Sequence, residues 1–164
     1  MKKLILFLLC VTAVQPTFAR VGDSLEQLKK RYGDPVATNE APPFTTVAFK
    51  VKDFTIVSYF KAKEDKVKFE IIVLSGDTSP EAVVQKIAGD AQVAPFPDST
   101  VLSLSSSGIV PQSVVAMWTI NGAPQTFAVY EPSSDSGGAL VFTDSIQSFP
   151  EFFKAISAGQ ADGL

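Results

Sequence analysis

The chain has 164 residues, with 14 basic side chains against 17 acidic ones, one cysteine and no histidine. This length suits one domain with a sizeable hydrophobic core. The acidic total and the presence of just two arginines argue against nucleic-acid binding, which needs a basic surface. Without histidine, serine–histidine catalysis is excluded, and transition metals lose their commonest ligand.

The N-terminus has the layout of a secretory signal peptide. Two lysines follow the initiator methionine, an apolar run extends over Leu4–Val14, and Ala19 provides a small residue for cleavage. We therefore predict a signal peptide over residues 1–19 and a periplasmic or secreted mature protein of net charge −5. Cys10 follows a bulky residue and lies too early for a lipid anchor. No later apolar run is long enough for a transmembrane span.

Charge is unevenly distributed along the predicted mature chain. Residues 20–68 carry ten basic and seven acidic side chains, whereas residues 69–164 carry two basic and ten acidic ones. Such asymmetry indicates two regions or faces that meet different partners.

The first predicted element is a helix whose N-cap is Ser24. Gln27 stands three residues further on, at the capping-box spacing, and Gly33 ends the helix. Alternating apolar residues then predict three strands. Their ranges are Thr45–Val51, Phe54–Ala62 and Val67–Leu74.

These strands predict an antiparallel meander with one face in the core and one face in solvent. Tight turns at 52–53 and 64–65 would place Lys61 opposite Lys68, and Lys63 opposite Lys66. Like charges across a sheet are unfavourable, so such a cluster indicates an anion-attracting contact surface. The alternative is a solvated face that resists aggregation. The candidate contact surface consists of Lys50, Tyr59, Lys61, Lys63, Lys66 and Lys68.

A second helix begins with Ser79 as N-cap and Pro80 at its first position. The elements predicted after it are three strands at Val114–Ile120, Gln125–Glu131 and Ala139–Thr143 and a helix from Ser148 to Ile156, with a further, weaker strand pattern at Thr100–Leu104. The order of helix, loop and strands thus recurs at an offset of about 55 residues.

The fold prediction is one α+β domain over residues 20–156, with antiparallel meanders and short helices packed on one face. Possible halves are residues 20–76 and 77–156, each a helix followed by three strands. Residues 157–164 are mostly small, and we expect them to form a flexible tail.

A known family shares part of this pattern. The residues concerned are Val21-Gly22-Asp23-Ser24, Leu25, Leu28, Tyr32-Gly33-Asp34-Pro35 and the strands to Leu74, about a third of the chain. This segment resembles the beta-lactamase-inhibitor-like fold of small outer-membrane lipoprotein A proteins. The resemblance implies an inhibitor-type or envelope-assembly accessory protein, since secreted beta-lactamase inhibitors contain tandem copies of such a unit. The chain departs from the lipoproteins in having no suitable lipid-anchoring cysteine.

Two patterns contain residue types that are used in catalysis. The segment Asp135–Val141 resembles the nucleophile region of trypsin-like proteases, but the chain has no histidine to act as general base, so we interpret it as a Ser/Gly loop. Glu131 and Asp144, at predicted strand ends, could form the carboxylate pair of a hydrolase. We assign no catalytic, cofactor-binding or metal-binding residue.

Together these features predict an exported, non-enzymatic binding module that contacts a protein or envelope partner through its surface. One alternative is the inhibitor-type or envelope-assembly accessory implied by the resemblance. The other alternative is a carboxylate-dependent hydrolase.

Overall fold

The structure, a computed structural model, describes residues 21–76, 78–122, 125–133 and 137–161, without the side chains of 159–161. It is an α+β protein with one antiparallel eight-stranded sheet, which confirms the predicted fold class. Among the described residues, no helix has the length and apolar character needed to cross a membrane.

The helices are α1 (Leu25–Tyr32), α2 (Pro80–Ala88), α3 (Asp98–Ser106) and α4 (Phe149–Ala161). The strands are β1 (Ala37–Ala41), β2 (Phe44–Val51), β3 (Phe54–Lys61), β4 (Val67–Leu74), β5 (Gln92–Pro95), β6 (Ala116–Asn121), β7 (Thr126–Glu131) and β8 (Gly138–Thr143). Their order in the sheet is β1-β2-β3-β4-β8-β7-β6-β5.

The sheet is built from two units with the same order of elements. The first contains α1 and the meander β1–β4, and the second contains α2 and β5–β8, with α3 inserted between β5 and β6. The last strands of the two units, β4 and β8, pair at the centre of the sheet. Each unit thus has four strands rather than the predicted three, because the short edge strands β1 and β5 were missed.

The helix boundaries follow the predicted caps. The Ser24 hydroxyl accepts a hydrogen bond from the Gln27 amide at 3.3 Å, and the Gln27 side chain accepts one from the Ser24 amide at 2.8 Å. The Ser79 hydroxyl accepts one from the Ala82 amide at 3.3 Å. The capping box and the second N-cap are therefore confirmed.

Helices cover both faces of the sheet, which corrects the expectation of one solvated face. On the first face, Leu28 of α1 and Val84 of α2 belong to the same buried cluster as Phe49 of β2. On the second face, Phe152 of α4 and Val101 of α3 pack in a separate cluster. The sheet lies between two cores, so its central strands β4 and β8 are largely apolar on both sides.

The faces of β4 are the reverse of the prediction. Tyr59 pairs with Phe69 whereas Phe60 pairs with Val67, so β4 contains one extra residue, Lys68, at a β-bulge. One extra residue moves all side chains beyond it to the other face. Phe69 consequently shares the face of Tyr59, and Lys61 does not lie opposite Lys68 as predicted.

Two further assignments were wrong. Residues 100–104 belong to helix α3, not to a strand, because Pro97-Asp98 supplies a helix start and Val101 packs into the second core. Helix α4 continues beyond Ile156 to Ala161, into the segment expected to be a flexible tail.

Candidate functional site

A groove of about 580 Å³ opens on the first face of the sheet, beside strand β1. Its floor is formed by strands β1, β2 and β3, and its wall by the start of α1 and the β3–β4 turn. The lining residues are Ser24, Leu25, Glu26, Thr38, Glu40, Thr45, Val47, Phe60, Lys61, Lys63, Glu64 and Asp65.

The groove exists because α1 is short and lies towards the middle of the first unit. Its eight residues pack Leu28 and Tyr32 into the core, whereas Leu25 at its N-terminal end remains half-buried. The β3–β4 turn closes the other side, and Lys63 there has φ of 71°, in the left-handed region. Within the described part of the chain, no helix covers strand β1 on this face.

Strand β1 is the exposed edge of the sheet. All five of its residues are exposed, and Val36, immediately before it, is 65% exposed. An edge strand presents unpaired backbone groups to solvent and can template another strand. Prolines at 35 and 42 flank β1 and limit that edge to a short segment.

The backbone groups that face outward can be identified from the hydrogen-bond alternation. The Pro43 carbonyl accepts a hydrogen bond from the Ala62 amide, so the odd-numbered residues of β2 direct their backbone groups to β3. The even-numbered residues of β2 therefore bond to β1, at Ala37, Asn39 and Ala41. Between these positions, Thr38 and Glu40 direct their N–H and C=O groups to the open edge. Their side chains lie on the groove face, because they pair with Val47 and Thr45.

The groove carries more negative than positive charge. Among its lining residues, Lys61 reaches Glu151 of α4 at 3.0 Å, and Glu64 reaches Lys68 at 3.4 Å. The remaining charged lining residues are Glu26, Glu40, Asp65 and Lys63. The rim therefore has a net negative charge.

A buried polar cluster lies beneath α1, in the first core. Glu70 of β4 and Ser58 of β3 are fully buried, and the Ser58 hydroxyl donates a hydrogen bond to Oε1 of Glu70 at 3.2 Å. Oε2 of Glu70 has no hydrogen-bond partner within the described part of the chain. Asp23 and Arg31, which form an ion pair at the ends of α1, are the nearby charges.

Burial raises the pKa of Glu70 from 4.5 to about 7, because the charged carboxylate is desolvated. Hydrogen bonds from Ser58 and Tyr32 and the Arg31 charge lower this pKa, and the Asp23 charge raises it. Glu70 does not line the groove. The cluster is a structural feature of the first unit, and the sequence pattern gave no sign that residue 70 would face inward.

The predicted contact surface is not a continuous patch. Tyr59 is half-buried against Phe152 of α4, with ring centroids 5.0 Å apart, and burial raises its pKa. The lysine-lined face that we expected in solvent is covered by this helix. That the six candidate residues contact a partner stays a prediction, but the single open face assigned to them is wrong.

The lysines themselves lie at two ends of the meander. Lys50 is at the β2–β3 hairpin, where its Nζ donates to the Thr55 hydroxyl at 3.4 Å. Lys63 and Lys66 are exposed at the opposite end, roughly 20 Å away along β3. Lys61 and Lys68 lie nearby, each in the ion pair described above.

The candidate catalytic residues are not brought together. Glu131 pairs with Ala139 at one end of the β7–β8 ladder, and Asp144 follows the other end, roughly 16 Å away. Glu131 instead accepts a hydrogen bond from the Ser113 hydroxyl at 2.5 Å. Asp135 and Ser136 lie outside the described residues.

Metal ligands show no grouping either. Within the described ranges, no three His, Cys, Asp or Glu side chains lie close enough together to hold a metal ion.

The β1 edge and its groove were not predicted from the sequence. The interval between Pro35 and Pro42 looked like a loop, because it is short, polar and bounded by prolines. Within residues 37–41, Thr38 is the β-branched residue that favours a strand. One such residue among small and polar neighbours does not distinguish an exposed edge strand from a loop.

Comparisons of this chain with protein-family models, with curated proteins and with solved structures found no match. The beta-lactamase-inhibitor-like resemblance therefore remains a prediction.

Proposed function

We propose that this protein is a non-enzymatic binding module that acts outside the cytosol and holds an extended segment of a protein partner along strand β1. The observation that carries the proposal is the open β1 edge, fully exposed and bordered by a groove. Adding a strand to a free edge is a general mode of peptide recognition, in which main-chain hydrogen bonds supply affinity and pockets supply specificity.

The other edge of the sheet is less suited to this role. Strand β5 has four residues and ends in Pro95, which has no N–H to donate. Val93 and Ala94 are half-buried, and α2 packs against this strand. Of the two edges, β1 is therefore the one available for pairing.

The export of the protein is part of the proposal and rests on the leader pattern at residues 1–19. The non-enzymatic character is supported by the absence of histidine from the sequence and by the separation of Glu131 from Asp144.

An inhibitor-type or envelope-assembly accessory protein is the second candidate. The observation that favours it is the repeated order of one helix and four strands, which fits a tandem unit. Such a protein would also act by surface contact, and the exposed β1 edge would then form part of its interface.

The test is a selection from a library of extended peptides with three forms of the full chain. Thr38→Pro removes an outward N–H without breaking a bond to β2, whereas Thr38→Ala removes the side chain and keeps the N–H. We expect the wild type and Thr38→Ala to enrich the same peptides, and Thr38→Pro to lose them. Circular dichroism would verify that both variants are folded.

Two results would contradict the proposal. One is enrichment of the same peptides by Thr38→Pro, which would place binding elsewhere. The other is a failure of the folded wild type to enrich any extended sequence.

A further inference from the structure

Resting on the proposed function, we infer that the groove beside β1 selects extended segments that carry Lys or Arg at alternate positions. The occupant is a basic stretch of a partner protein, added as a ninth strand. This assignment follows from the direction of the groove side chains and from the charge around them.

A strand added to β1 would lie about 4.8 Å from it and would direct alternate side chains to the groove face. Those side chains would stand beside Thr38 and Glu40, the outward-bonding residues of β1. The side chains between them would point to the second face, beside Ala37, Asn39 and Ala41. One side of the added strand therefore meets a charged groove, and the other meets small residues.

The charge of the groove favours a cation there. Among the lining residues, Glu26, Glu40 and Asp65 outnumber Lys63, since Lys61 is paired with Glu151 and Glu64 with Lys68. The charged end of a long basic side chain that stands beside Thr38 and Glu40 can reach the Glu40 carboxylate on the same face.

A second copy of this chain fits the same edge less well. Antiparallel pairing of β1 with itself about Asn39 would place Glu40 of each copy opposite Thr38 of the other, on the groove face. A carboxylate would then enter a groove that is already negative. Like-charge juxtaposition of this kind suppresses wrong partners.

The experiment measures binding of labelled synthetic peptides to the full chain by fluorescence anisotropy. The probe is Thr-Lys-Thr-Lys-Thr-Lys-Thr. Its comparisons are the same peptide with Glu for Lys, and an isomer in which the lysines are adjacent. We expect the alternating Lys peptide to bind at least roughly tenfold more tightly than the Glu peptide, and more tightly than its isomer. The preference should weaken with added salt.

Matched variants locate the charge effect. Glu40→Gln with Asp65→Asn should weaken binding of the Lys peptide by about threefold to tenfold, since two exposed charges are lost. Asp34→Asn with Asp90→Asn makes the same change in net charge at exposed positions outside the groove, and it should leave binding nearly unchanged.

The outcomes separate this inference from the function on which it rests. If Lys and Glu peptides bind equally and Thr38→Pro abolishes both, the β1 edge binds segments but the charge preference is wrong. If the control pair weakens binding as much as the groove pair, the preference reflects overall charge, and the groove assignment is wrong. If Thr38→Pro binds normally, or if no peptide binds, both proposals fail. Dimerisation through β1, detected by sedimentation and lost in Thr38→Pro, would replace the basic segment with a second copy.

Discussion

At the scale of single residues, the notable feature is a carboxyl group enclosed in a hydrophobic core. Glu70 is fully buried under α1, where the Ser58 hydroxyl donates a hydrogen bond to it at 3.2 Å. An ionised carboxylate would be costly there, so burial raises its pKa to about 7. The proton on Glu70 therefore couples the stability of the first unit to pH near neutrality.

Because the folded chain binds the Glu70 proton more tightly than the unfolded chain does, the free energy of unfolding should depend on pH. The unfolded chain releases the Glu70 proton near pH 4.5, whereas the folded chain keeps it until about pH 7. The free energy of unfolding should therefore fall as pH rises between these values, and level off above pH 7. Glu70→Gln, which stays neutral, should be more stable than the wild type at pH 8 by roughly 3 kcal/mol, and close to it at pH 4.

Urea denaturation of both proteins across this pH range would test the prediction. Glu40→Gln, which removes an exposed carboxylate, is the matched control. A difference between Glu70→Gln and the wild type that did not change with pH would show that Glu70 is ionised in the fold.

At the scale of elements, one inserted residue decided the faces of the central sheet. The bulge between β3 and β4 places Phe69 beside Tyr59, and α4 covers them both. Phe152 of α4 stacks on Phe69 with ring centroids 4.3 Å apart and is fully buried. The surface first assigned to solvent is thus the second core of the protein.

Truncation of Phe152 tests this packing. Phe152→Ala should lower the free energy of unfolding by about 3–5 kcal/mol, because it leaves a cavity between α4 and the sheet. Lys154→Ala, at an exposed position of the same helix, should change it by less than about 0.5 kcal/mol. Equal effects of the two substitutions would mean that α4 does not cover the sheet.

At the scale of the whole molecule, the two units share one sheet and the first core. Strands β4 and β8 pair at the centre, and the first core joins Phe49 of the first unit to Trp118 and Ile120 of the second. Elements of both units are therefore buried together, and their stabilities should be linked.

This linkage predicts a single cooperative unfolding transition. Phe49→Ala should destabilise the protein by about 3–5 kcal/mol. The urea midpoint of Trp118 fluorescence should shift with that of circular dichroism, although Trp118, the one tryptophan of the chain, belongs to the other unit. An unchanged Trp118 midpoint would show that the two units unfold independently.

The sequence by itself determined the local features of this protein. The capping box at Ser24, the N-cap at Ser79 and the stop signal at Gly33 depend on neighbouring residues, and the structure confirms them. The α+β class and the antiparallel strands followed from apolar periodicity, which also reflects short-range geometry.

The tertiary structure alone decided which surfaces are free. Whether the Tyr59 face meets solvent depends on α4, some 90 residues further along the chain, and on the bulge at Lys68. The burial of Glu70 and the exposure of β1 likewise depend on packing between distant segments. Alternation gives the two faces of a strand, but long-range contacts determine which of them is covered, and so where this protein can bind.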